Sequence, residues 1–279
     1  MRAILTITHL TLHESVRRRI LLASLLCGAA FLLLFGIGLH FMVKSMPAKL
    51  IADVVRYRGS LILLTMAGLY AANFLTIMTA VLLPVDTLSG EIASGVMQTV
   101  ASKPIRRAEI VLGKWFGFVG MTIGYLGLLA GGVLVIARVI GHVTPPDIGI
   151  ALPLMALEAT LFVSLAICGG VRFSTVTNGV VAFGFFGIAF IGNWVEQIGT
   201  FAGNDTARYV GTVASLIMPS ESLWQLAAWH MQPAIMRQLN LGGPFALASV
   251  PTPAVVWWAG GYIVALVSVA IATFRRRGL

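Results

Sequence analysis

Apolar residues in this chain gather into long unbroken runs instead of alternating or keeping to one helical face. Six runs stand out, at residues 20–41, 60–85, 110–137, 148–171, 178–197 and 253–274. An α-helix needs about 20 residues to cross a hydrocarbon core roughly 30 Å thick. A helix apolar on all sides has no face to offer water, so each run predicts a transmembrane helix. Residues 1–19 differ. Ile4, Leu5, Leu12 and Val16 can share one side of a helix while His9, His13 and Glu14 lie elsewhere, which predicts an interfacial amphipathic helix leading into the first span. Pro145 and Pro146 mark the turn before the fourth run. Residues 199–252 are mixed, and Pro233, Pro244, Pro251 and Pro253 forbid one long helix in and just after them. Within that segment Ser220 is placed to cap a short helix from Glu221 that carries Leu223, Trp224, Ala227 and Ala228. The fold class is therefore all-α: a polytopic membrane protein of six transmembrane helices and an N-terminal interfacial helix, in one domain of residues 1–279.

Composition agrees with the pattern. The chain is 58% hydrophobic and only 10% charged, with mean hydropathy +0.93. Soluble domains carry about 25% charged residues, because a water-facing surface has to be polar. The surplus apolar surface must face lipid. A net charge of +9 and a pI near 10.3 raise the question of nucleic acid. The basic residues, however, sit in short clusters at the ends of apolar runs, where anionic headgroups and orientation signals account for them. Partners are the bilayer and protein, not nucleic acid. With six spans both termini share a side, and that side carries twelve of the 19 Lys and Arg, including Arg17, Arg18 and Arg19 and Arg275, Arg276 and Arg277. The positive-inside rule makes it cytoplasmic, predicting a multi-pass protein of a cell membrane, with the segment 199–252 on the outer side. The early arginines come late for a signal peptide, so residue 20 onward reads as a retained span. Cys27 and Cys168 fall inside apolar runs and behave as small hydrophobes.

Candidate chemistry is sparse. His9 and His13 lie one helical turn apart, but with only Glu14 nearby they read as a wetted helix face and no metal site is expected. There is no His-Glu-x-x-His, no Gly-x-Ser-x-Gly and no pair of aspartates within the spans, so the chain is not expected to be an enzyme. Gly113, Gly117, Gly120, Gly124, Gly127 and Gly131 recur at alternating steps of four and three along the third run. That period of about 3.5 draws one continuous seam for a neighbouring helix to approach closely. Glu158 lies about 15 Å into the fourth run, near mid-membrane, where a charge costs several kcal/mol unless paired, protonated or wetted. Tyr70 and Tyr125 fall at similar depths and can donate to it. Glu158 is then either a protonated strut between helices or a carboxylate lining a pathway.

The loop at residues 86–110 holds the most information. Ile92, Val96 and Val100 repeat at i, i+4 and i+8 with Met97 beside them, Pro104 ends that short helix, and Glu109 sits in the first turn of the next span. Its apolar face either rests on the bilayer surface or docks in a groove of a soluble partner. Over about thirty residues the loop resembles that of ABC-2 type permeases, the membrane subunits of ATP-binding-cassette transporters. The matching residues are Glu91, Gly95, Val96, Met97, Val100, Pro104, Ile105, Arg107, Gly113 and Lys114, with Val96-Met97 where the family more often has Thr-Leu. The resemblance implies a permease, expected to be an exporter, that works as a homodimer or heterodimer. Glu91, Ile92, Gly95, Val96, Met97, Val100, Pro104, Arg106 and Arg107 would couple it to a separate ABC ATPase subunit. ATP and Mg would bind in that subunit, since this chain has no Gly-x-x-x-x-Gly-Lys-Ser/Thr of its own and needs no cofactor. Short helices in 199–252 would frame the exit, although an interfacial aromatic belt reads the same residues. A secondary transporter and a non-transporting membrane partner of an ATPase are the alternatives.

Overall fold

A computed structural model describes residues 2–16, 19–45, 54–87, 89–90, 106–234 and 251–276. Among these the chain forms helices and no strands: α1 (Arg2–Val16), α2 (Arg19–Ser45), α3 (Val54–Leu82), α4 (Arg107–Ile140), α5 (Ile148–Gly170), α6 (Thr175–Phe201), α7 (Asp205–Ile217), α8 (Ser220–Met231) and α9 (Ala254–Arg276). Six of them, α2 to α6 and α9, are long and apolar enough to cross a membrane. The protein is a multi-pass membrane protein. In hydrocarbon only helices that satisfy their own backbone groups can be exposed to lipid, which is why no other element spans. At 34 residues α4 is about 51 Å long, well over the roughly 30 Å core, so it projects beyond the bilayer.

Two ends of the bundle can be defined. The loop end holds α1, the end of α3, the start of α4, the end of α5, the start of α6 and the end of α9. The far end holds the α2–α3 and α4–α5 connections. α5 is the centre: 67% of its most apolar window is buried, against 11% for α2, which lines the outside. Two large apolar clusters fill the interior, and a smaller one of Leu39, Leu61, Ala137 and Val143 lies at the far end. Toward the loop end Ile77, Val81, Ile110, Phe118, Phe162 and Phe274 pack together. Toward the far end Met66, Leu69, Leu129, Met155, Trp224 and Met231 do so.

α1 lies against the start of α4, and the face it turns inward is not the side that groups Ile4, Leu5, Leu12 and Val16. Ile4, Ile7, Thr8, Thr11 and Ser15 turn inward, whereas Leu5 and Leu10 are among the exposed large hydrophobics. Small and β-branched side chains are what the α4 surface admits. A Cβ on Gly113 would meet the Ile7 side chain at 2.6 Å, and one on Gly117 would meet Thr11 at 2.9 Å. Thr8 Oγ1 donates to the Gly113 carbonyl at 3.0 Å. The other four glycines of the seam, Gly120, Gly124, Gly127 and Gly131, have no neighbour within 4 Å of a built Cβ. The expectation of one helix along the whole seam is thus corrected within this chain: α1 has only a 15-residue reach and covers the first two positions.

Beyond α6 the chain doubles back. α7 runs antiparallel to α6, with Ala214 against Gly192 and Ala207 against Gly199. Asn204 caps α7, its side-chain oxygen accepting from the Ala207 amide at 3.2 Å. α8 then starts at depth and returns toward the far end, buried along most of its length. Ser220 does not cap it, which corrects that expectation. Pro219 holds the N-cap position, Ser220 is the first helical residue, and its buried hydroxyl has no hydrogen-bond partner among the described residues. Pro at such an entry needs no amide donor, so the backbone reaches helical geometry one residue earlier.

Candidate functional site

Two groups of polar residues stand out against the apolar bundle. The first is the pair of feet on which the loop stands. Residues 91–105 lie outside the described residues, and with them Glu91, Ile92, Gly95, Val96, Met97, Val100 and Pro104. The feet themselves are described. On the α3 side, Thr175 Oγ1 at the start of α6 donates to Asp86 Oδ1 at 2.7 Å, and Ser89 Oγ lies 3.0 Å from the same Thr175 hydroxyl. Just below, the buried Asn178 amide donates to the Ala166 carbonyl at 2.8 Å and the Val85 carbonyl at 3.3 Å. One carboxamide therefore ties the ends of α3 and α5 to α6. Gly169 makes room for it, because a Cβ there would strike Asn178 Oδ1.

On the α4 side, the Arg106 amide donates to Glu109 Oε2 at 3.1 Å, so the first-turn carboxylate satisfies a donor at the helix entry as well as facing the helix dipole. Arg107 Nη1 donates to the Phe274 and Arg275 carbonyls, both at 3.2 Å. These are among the last carbonyls of α9, which no intrahelical amide can satisfy. Arg107 thus fastens the second foot to the end of α9. Lys114 is buried, at 7% exposure, one residue past the glycine on which α1 rests. The loop is held by α6 at one foot and by α1 and α9 at the other.

The second group crosses the middle of the bundle, between the two apolar clusters. Asn73 Nδ2 on α3 donates to Glu158 Oε2 on α5 at 2.8 Å, and both side chains are buried. The partner expected for Glu158 was a tyrosine. Tyr125 instead donates to the Ser24 carbonyl of α2 at 2.7 Å, so it braces the outer helix and leaves Glu158 to Asn73. Tyr70 packs its ring on Trp224 of α8, centroids 5.0 Å apart, within electrostatic reach of Glu158 and Glu221. Glu221, in the first turn of α8, accepts from Asn193 Nδ2 of α6 at 3.1 Å. Asn193 Oδ1 in turn accepts from Gln225 and, at 3.3 Å, from Gln197. Sequence reasoning missed Asn73, Asn193 and Gln225. Asn73 was legible as the one carboxamide in the second apolar run, at the depth of Glu158. Asn193 was not, because its partners come from a helix that the sequence does not place inside the bundle.

Amide and carboxyl groups from α3, α5, α6 and α8 thus meet where a membrane protein can least tolerate an unpaired charge. In this conformation Glu158 is only 1% exposed, so it faces protein and no open channel. Asn73 Oδ1 has no partner among the described residues, which leaves one buried acceptor unsatisfied beside the carboxyl. His9 and His13 stack with ring centroids 6.1 Å apart on the outer face of α1. Among the described residues no group of three metal-ligating side chains converges. Compared with protein-family models and with curated proteins, the chain matches none.

Proposed function

We propose that the chain is the membrane-spanning permease subunit of an ABC-2 type ATP-binding-cassette transporter, and acts as an exporter. The observation that carries this reading is the sequence pattern from Glu91 to Lys114, set between α3 and α4 on two anchored feet. The helix that the sequence predicts for 91–102, with Ile92, Val96 and Val100 sharing a face, would fit a groove on a soluble ATPase. Force on that helix would pass through Asp86 and Ser89 into α6, and through Arg106 and Arg107 into α4 and α9. All three of these spans pack on α5, so a tilt of the loop would move them against the most buried helix of the bundle. ATP and Mg would bind in the ATPase, and a second permease copy or a relative would complete the pathway. Both termini and the loop would lie in the cytoplasm of a prokaryotic cell, with α7 and α8 at the outer side.

The test is to purify the chain with its ATPase and compare transport in Val96→Asp and Val100→Asp variants. Each should insert normally yet lose ATP-driven transport, because a carboxylate cannot enter an apolar groove without cost. Variants that still bind the ATPase and transport normally would sink the docking assignment. The buried Glu158 and Glu221 favour one second reading, a secondary transporter, since coupling sites of such proteins use carboxyls near the midplane. Uptake or efflux driven by an ion gradient in liposomes holding this chain alone would support that reading instead.

A further inference from the structure

Arginines collect around the last turn of α9. Arg106, Arg107 and Arg275 line a cavity of ≈ 430 Å3 on its α4 flank. On its α5 flank lies a wider groove of ≈ 560 Å3, lined by Val171, Arg172, Val269, Ala272, Thr273 and Arg276. Its make-up is divided by height. Arg172, just past the end of α5, and Arg276, the last residue of α9, form the rim. Val269 and Ala272 form a wall below, and Val269 is 54% exposed on the lipid-facing side. Seven residues separate Val269 from Arg276, about 10 Å along the helix axis. Among the described residues neither Arg172 nor Arg276 is in an ion pair.

We propose that this groove binds an anionic phospholipid, with the phosphate between Arg172 and Arg276 and an acyl chain along Val269 and Ala272. Guanidinium groups hold phosphate oxygens by paired charge-assisted hydrogen bonds. Basic pockets at the ends of spanning helices attract anionic headgroups for that reason. A free phosphate would use the rim and gain nothing from the wall. An acidic protein surface would meet the rim from the aqueous side and likewise leave the wall bare. Only a lipid fills both, and only a lipid reaches the groove from its open flank. Bound there, it would bridge α5 and α9 beside the contact that Arg107 makes with the end of α9.

The experiment uses the full chain purified in mild detergent and titrated with dioleoyl-phosphatidylglycerol, dioleoyl-phosphatidylcholine or inorganic phosphate, with bound lipid counted by native mass spectrometry. Phosphatidylglycerol should be retained in preference to phosphatidylcholine. An Arg172→Gln, Arg276→Gln double variant should bind it about tenfold or more weakly, as expected for losing two surface charges. Arg172→Lys with Arg276→Lys, which keeps the charge and loses the paired geometry, should bind between the wild type and the double Gln variant, and Arg138→Gln in the last turn of α4 at the far end should keep all of the binding. The proposal is overturned by equal retention of the two lipids, or by unchanged binding in the double Gln variant. Displacement of phosphatidylglycerol by inorganic phosphate at similar concentration would reassign the groove to a free anion. Loss of a co-purifying protein in the double Gln variant, with lipid binding intact, would reassign it to a protein contact. The lipid and phosphate arms read the chain alone, so failure of the ATPase proposal does not bear on them.

Discussion

Removing Asn73 leaves the Glu158 carboxyl buried with its donor gone, and that asymmetry makes the pair testable. A buried polar group stripped of its partner costs about 1–3 kcal/mol, whereas replacing both partners by apolar groups of similar shape is close to neutral. If the pair is a strut, Asn73→Leu and Glu158→Leu should each lower the thermal midpoint of the purified protein, and the double variant should be more stable than either single one. A double-mutant cycle should give a coupling of roughly 1–2 kcal/mol. Additive losses would show that the hydrogen bond at 2.8 Å contributes little. Glu158→Gln then separates strut from pathway. Gln keeps hydrogen bonding without the ability to ionise, so transport should persist for a strut and stop for a pathway carboxylate. The sequence places Glu158 correctly at mid-span, but the choice of donor depends on which neighbour turns toward it. Helix rotation decides that. Tyr125 is rotated toward α2, and Asn73 toward α5.

Glycine has two different uses along α4. At Gly113 and Gly117 it lets α1 approach to backbone contact, with the Ile4 carbonyl 3.1 Å from where a Cβ on Gly113 would sit. At Gly124 and Gly127 nothing in the chain stands within 4 Å. Gly113→Ala should therefore destabilise the protein by about 1–3 kcal/mol through overpacking. Gly124→Ala and Gly127→Ala should be neutral or stabilising by up to about 1 kcal/mol, since alanine is the better helix former. Thermal unfolding of the protein purified in mild detergent reads both. A loss at Gly127 as large as that at Gly113 would mean that another chain occupies the stripe. The elements themselves were largely legible. Long apolar runs carry their own signal, and all six predicted spans are found with shifts of a few residues at their ends. The packing partners of the glycine seam were not, because a period of 3.5 names a face without saying what covers it. The face that α1 turns to α4 was not legible for a related reason. The sequence grouped Ile4, Leu5, Leu12 and Val16 on one interfacial face, yet Ile7 and Thr11 are the side chains that pack on Gly113 and Gly117, while Leu5 and Leu10 are exposed. At a membrane surface apolar side chains can face outward, so hydropathy alone does not tell inside from outside.

For the molecule as a whole, function hangs on which end faces the cytoplasm. The loop end carries the feet at Asp86, Ser89, Arg106 and Arg107, and the arginine-rimmed grooves around α9. The far end carries a cavity of ≈ 730 Å3 between α6, α7, α8 and α9, lined in part by Glu196, Ser215, Ser222, Gln225, Trp257 and Trp258. The excess of Lys and Arg favours a cytoplasmic loop end, since basic residues near span ends resist translocation. One cysteine at each end tests this directly. Cys27 is exposed and Cys168 half-buried, so both are first replaced by Ala to give a silent background. Ser222→Cys lines the far-end cavity, and Phe173→Cys lies in the turn between α5 and α6 at the loop end. A membrane-impermeant maleimide added to intact cells should label Ser222→Cys, and should label Phe173→Cys only after the membrane is opened. The reverse pattern would invert the topology. It would also place residues 91–105 outside the cell, where no ATP-driven subunit could reach them, and the ATPase proposal would fall with it. Labelling of Ser222→Cys should in addition slow transport if the far-end cavity is the exit, because the adduct fills space that the substrate must cross.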